Sequence, residues 1–280
     1  MRNLNWRGIW AIVNKDLRVI RRTKMVWMPM LILPILFTFI MPLLVGVLFL
    51  SVPQDSPEFM DMTGDLGTML LNAPQNDAFF ASLTSDALKL LYLVYLYMFA
   101  PFFLMIPIMT GSVVAADSFA GEKERKTLEA LLHTPLSDFE LYLSKWLSPL
   151  IAGVAISVVS AILYGIVVNG VGLSAFGRMI FPNWAWIIML IWLVPAVTGV
   201  SLGITVWVSS RVSTFMEAYQ AGAFAVLPFV LLFVGQMAGV LYFDVIVTLI
   251  LGLIVWLIDA FLFWLGGKQF SRGAILSRLS

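Results

Sequence analysis

The sequence predicts an all-α polytopic membrane fold: six transmembrane helices, an amphipathic helix before the first, and a short cytoplasmic helix between the second and third. Three observations carry this. Of 280 residues, 61% are hydrophobic and 12% charged, where soluble domains carry about 25% charge. The charge is missing from long blocks, such as Trp146 to Gly177 and Met179 to Ser210, each longer than the roughly 20 residues that cross a bilayer. Basic residues also gather on alternate connections between these blocks.

Taken in order, residues 1–24 read as a helix lying on the membrane. Trp6, Ile9, Trp10, Val13, Leu17 and Ile20 recur at helical spacing, and Arg7, Lys15, Arg18, Arg21 and Arg22 fill much of the remainder. Large amphipathicity with basic residues and tryptophan marks an interfacial helix. The first span is 25–50, too long for the core of a cleaved signal peptide, and is expected to stay in the mature protein. An outer connection, 51–89, carries six acids. The remaining spans are placed at 90–114, 146–168, 184–208, 217–234 and 245–265. Connection 115–145 joins the second to the third, a turn through Asn169, Gly170 and Pro182 follows, and 267–280 forms a tail. The break 235–244 is short and apolar enough for a re-entrant or interfacial turn, which is allowed only where protein buries it.

With alternate connections on opposite sides, one face receives 15 of the 17 basic residues, and the other only Lys89 and Arg178. By the positive-inside rule both termini are cytoplasmic, as expected of a multi-pass protein of the cell (inner) membrane in contact with lipid. Net charge is +1 and cysteine is absent, so disulfide frameworks, thiolate metal sites and cysteine nucleophiles are excluded together. Asn169 and Gln236 are placed near outer ends of spans, close to water. Gly199 and Gly203 are spaced for a close helix contact.

The connection 115–145 is the most informative stretch. Its charges concentrate in Glu122, Lys123, Glu124, Arg125 and Lys126; from Lys126 to His133 good helix formers dominate, with Leu128, Leu131 and Leu132 on one face. Pro135 should end that helix. Ser137 and Glu140 then have the spacing of a capping box that starts the next one. An amphipathic helix so held can dock an apolar face into a partner groove.

The stretch DSFAGEKERKTLEALLHTPLSDFEL resembles the signature region of permease subunits of the ABC-2 type transporter family, and the basic amphipathic start and six spans follow the same pattern. The resemblance implies that Glu122, Lys123, Glu124 and Thr127 sit at a gate beside the membrane, and that Leu128, Leu131, Leu132 and His133 belong to a coupling helix touching an ATP-binding cassette ATPase subunit. It further implies a second permease copy or a sister permease, a translocation pathway, and ATP with Mg on the partner.

The motifs present agree with a chain that is not itself an enzyme. There is no Gly-x-x-x-x-Gly-Lys-Ser/Thr loop, and Gly266, Gly267 and Lys268 lack its spacing. His-Glu-x-x-His and Gly-x-Ser-x-Gly are absent, so no catalytic, cofactor or metal residue is assigned, and no nucleic-acid partner is expected. Asp259 is a possible intramembrane charge. It reads either as a proton or cation site or as a structural acid paired with the basic termini; the second is favoured because one acid is too few for a relay. Two other functional classes remain open: an ion-coupled secondary transporter or channel, and a membrane anchor for a soluble enzyme.

Overall fold

A computed structural model describes residues 4–269 apart from 54–55, 58–63, 65–66, 68–69, 71–72, 74–76, 128–133, 210, 213 and 239–241. Among the described residues there is no strand, and six helices are long and apolar enough to cross a membrane. The elements are α1 Trp6–Arg22, α2 Val26–Ser51, a short α3 Ala78–Ser82, α4 Asp86–Glu124, α5 Asp138–Phe176, α6 Trp184–Ser209, α7 Phe215–Met237 and α8 Val245–Gln269.

Local chemistry sets the helix ends. Asn5 caps α1 by accepting a hydrogen bond from the Gly8 amide at 3.1 Å, and Thr23, extended at φ −100° and ψ 102°, turns the chain into α2. The capping box read from the sequence starts α5: the Glu140 amide donates to Ser137 Oγ and the Ser137 amide to Glu140 Oε2. Glu140 Oε1 also accepts from the Asn5 amide at 2.7 Å, so one carboxylate joins the starts of α1 and α5.

Helix α4 is the hub. It is buried along most of its length, whereas α2, α7 and α8 turn much of their surface outward. Helices α2, α5, α6 and α7 pack around it, α8 packs on α6, and α1 lies along α5. The outward side chains are apolar, among them Ile32, Leu44, Ile191, Leu231 and Leu257, which suits hydrocarbon. Inside, Trp186 is buried between Tyr164, Phe103 and Phe181 and donates from Nε1 to the Leu96 carbonyl at 2.8 Å. Tyr164 donates to the Tyr95 carbonyl and Tyr95 to that of Pro42, so hydroxyls link α5 to α4 and α4 to α2.

Prolines and π-helical turns occur together. Pro42 follows the wide turn Ile35–Ile40, Pro195 follows Met189–Leu193, and Pro101 follows Val94–Met98. Proline removes an amide donor and its ring crowds the preceding turn; a widened turn accommodates both.

Several sequence boundaries are corrected. The third helix does not end at 168 but continues to Phe176 and closes at Gly177, whose φ of +68° suits glycine. Asn169 is therefore not in a turn. From inside α5 its Oδ1 accepts from the amides of Ile180 and Phe181, both at 3.0 Å, and its Nδ2 donates to the Phe181 carbonyl at 2.7 Å. Gln236, placed near water from the sequence, lies inside α7 and is fully buried. The second helix does not stop at 114 but runs into the signature stretch as far as Glu124.

Replacing Asn169 by Leu leaves two amides and a carbonyl without partners, so the unfolding free energy should fall by about 2–3 kcal/mol. Thermal or denaturant unfolding of the detergent-solubilised chain checks this; an unchanged midpoint would mean that the clamp is dispensable.

Candidate functional site

The latter half of α1, the last turn of α4 and the first turns of α5 converge on a cluster of buried charges. Lys145, near the start of α5, is 1% exposed; its Nζ lies 3.2 Å from Asp16 Oδ2 on α1 and 2.7 Å from Glu122 Oε2 on α4. Lys15 pairs with Glu122 from the other side and with Asp16 at 3.2 Å. Ser118 and Ser148 each donate to Asp16 Oδ2 at 3.4 Å. Two acids and two bases thus neutralise one another in a site where an unpaired charge is strongly disfavoured.

The signature stretch reaches this cluster because its helix is wound wide. Asp117–Gly121 form a π turn, a departure from regular helix that often marks functional positions. The three residues that follow engage different neighbours. Glu122 meets α1 and α5, Lys123 Nζ donates to the Val212 carbonyl at 3.1 Å, and Glu124 Oε2 accepts from the Phe215 amide at 3.0 Å, holding the start of α7. Arg125 reaches back to Asp117 at 2.8 Å. The helix then closes as the Lys126 amide bonds the Lys123 carbonyl and the Thr127 amide that of Glu122, with Lys126 at φ 57°. This is the Schellman pattern with lysine where glycine is usual.

The helix expected to begin at Lys126 is thus replaced there by a helix end. Residues Leu128, Leu131, Leu132 and His133 lie outside the described residues. Glu122, Lys123, Glu124 and Thr127 are brought together at one site, with Thr127 Oγ1 donating to the Glu122 carbonyl.

Sequence reasoning missed Asp16 and Lys145. Asp16 is the only acid in the first 24 residues and falls in register with the buried Ile9, Val13 and Ile20, so an acid on an apolar stripe was the available signal. Lys145 borders a charge-free block and looks like a flanking charge until the fold places it.

Asp259 is not part of this cluster. It lies on α8, 2% exposed, against Gly199 of α6, and Leu262 packs in the same way on Gly203. The glycine pair read from the sequence is therefore a helix contact. Among the described residues no basic side chain forms an ion pair with Asp259, so the expected pairing with the basic termini is not met by the N-terminal residues 4–24; 270–280 lie outside the described residues.

A family model described as ABC-2 family transporter protein matches residues 10–258. The chain belongs to the ABC-2 transporter family. It is also similar to the ABC transporter permease protein NatB of Bacillus subtilis, 43% identical over 56 residues, which cover 20% of this chain and 14% of that one. Family membership and six helices long and apolar enough to span a bilayer make it a multi-pass membrane protein.

Burial lowers the pKa of Lys15, but its hydrogen bond and attraction to Glu122, with the nearby Asp16, outweigh that and raise it above 10.5. The stability contributed by Lys15 is therefore fully present below pH 10.5 and lost only as pH rises through the raised value. Replacing Lys145 by Met leaves two buried carboxylates short of a partner and should destabilise the chain by about 3–5 kcal/mol. Replacing Lys15, which is 42% exposed, should cost at most about 1 kcal/mol. Unfolding of the two variants, compared at neutral pH, checks the ranking; equal losses would contradict it.

Proposed function

We propose that the chain is the permease of an exporter, forming the translocation pathway and driven by a separate ATPase that holds ATP and Mg. The observation that carries this is the buried cluster at Lys145. Glu122 lies immediately before the segment that resembles a coupling helix, and through Lys145 and Lys15 it is bonded to α5 and α1, so a push on the loop is delivered to three elements at once. Leu128, Leu131, Leu132 and His133 form the face that meets the ATPase, while Glu122, Lys123, Glu124 and Thr127 transmit its motion.

Two permeases, identical or sister chains, complete the pathway between them, since α4, at the centre of the spans, is buried along most of its length. Both termini are cytoplasmic. Helix α1 lies in the inner interface, where its exposed Trp6 and Trp10 suit lipid headgroups. The cargo is amphiphilic or otherwise hard to move, because the spans lack a chain of ionisable groups such as an ion relay uses.

Co-purification tests this reading. The full-length chain drawn from its native membrane should bring down an ATPase with a phosphate-binding loop. Replacing Leu131 by Asp should cut the recovered ATPase by about tenfold or more while the permease stays in the membrane. Recovery undiminished in this variant and in the Glu122→Lys, Glu124→Lys double variant would overturn the coupling assignment.

A further inference from the structure

The side chain of Asp259 stands apart from the buried cluster at Lys145. It sits in an apolar span with 2% of its surface exposed, and its Oδ1 receives no hydrogen bond. Gly199 makes room for it: a methyl group at position 199 would overlap both carboxyl oxygens. One turn along the same contact, the equivalent notch over Gly203 is filled by Leu262. Packing of α6 on α8 therefore accepts an aliphatic side chain, and the acid at 259 supplies something that packing does not require.

From these facts we infer that Asp259 is an intramembrane proton-binding site, which holds a proton while α6 and α8 are in contact and releases it when their separation admits water. Among the described residues, a bare carboxylate in this notch would be a buried charge with no counterion and with no donor at Oδ1, an arrangement that membrane interiors strongly disfavour. The neutral acid fits it. The described surroundings offer no competing charge. Helix α6 brings no titratable side chain, and neither does its start at Trp184 to Leu193. Helix α5 brings Tyr142, whose hydroxyl is committed to the Phe263 carbonyl at 3.0 Å. On α8 itself the other titratable group is Lys268, exposed, with Nζ 3.7 Å over the Trp264 ring. Nine residues from Asp259, it is about 13 Å away along the helix.

This site stands independently of any ATPase, and labelling of the full chain in its own membranes tests it. A hydrophobic carbodiimide adds only to a protonated carboxyl: the acid proton moves to a carbodiimide nitrogen, the carboxylate oxygen bonds the central carbon, and acyl transfer to nitrogen leaves a stable N-acylurea. Mass spectrometry should find this adduct on the peptide containing Asp259, falling about tenfold or more as the pH of the medium is raised and the proton is given up. A water-soluble carbodiimide should label it about tenfold less. Asp259→Glu should keep the adduct and Asp259→Asn should lose it; the glutamate variant alone suffices as a control should the asparagine variant fail to accumulate. Absence of the adduct at every pH, equal labelling by the water-soluble reagent, or labelling that does not change with pH would each overturn the inference.

Discussion

The ammonium of Lys145 stands between two carboxylates that come from other parts of the chain, Asp16 of α1 and Glu122 of α4, and the arrangement of this whole end of the bundle depends on that meeting. A lysine 1% exposed has lost nearly all its hydration, and such a loss is offset only where opposite charges and hydrogen bonds replace the water closely. Both acids are therefore obliged to be present, which fixes α1 along α5 and requires α4 to extend past the apolar span to Glu122. The wide turn at Asp117–Gly121 belongs to the same requirement, since it alters the rotation at which Glu122 leaves the helix.

Polar groups are handled differently deeper in the bundle. Thr198, Ser201, Thr205 and Ser209 of α6 each donate to a carbonyl of their own helix three or four residues back, as do Ser112 of α4 and Ser157 of α5. Their hydrogen bonds are satisfied locally, so these buried hydroxyls add no bonds between helices at those points, and contact there rests on packing. The end at Lys145, by contrast, is bonded across elements by charge. Such a bundle is tied by charge at that end and by Tyr95, Tyr164 and Trp186 elsewhere, with the hydroxyl-lined stretch of α6 able to shift without breaking its own ladder.

The sequence carried most of this architecture on its face. Six long apolar blocks, the Ser137 and Glu140 spacing and the glycine pair at 199 and 203 are local signals, and each has the structural meaning that local physics gives it. What was not legible depends on distant partners. Lys145 looks like a flanking charge, Asn169 like a turn residue and Gln236 like a solvated one, because only the fold brings Asp16, the Phe181 backbone or a buried helix face to them. The extent of α4 was misread for a related reason: a run of charge suggests water, and here the charges are neutralised by other elements, which lets the helix carry on.

The central claim is that α1, the end of α4 and the start of α5 move as one body. The cysteine-free chain allows spin labels at two introduced cysteines without background, one replacing Arg18 on α1 and one replacing Phe139 on α5, both exposed. Pulsed electron paramagnetic resonance would compare the distance between them in nucleotide-free and ATP-bound complexes reconstituted with the co-purifying ATPase. The account predicts one narrow distance, unchanged by nucleotide, that broadens when Lys145 is replaced by Met. A shift of more than about 3 Å on ATP binding in the chain with Lys145 intact would contradict it.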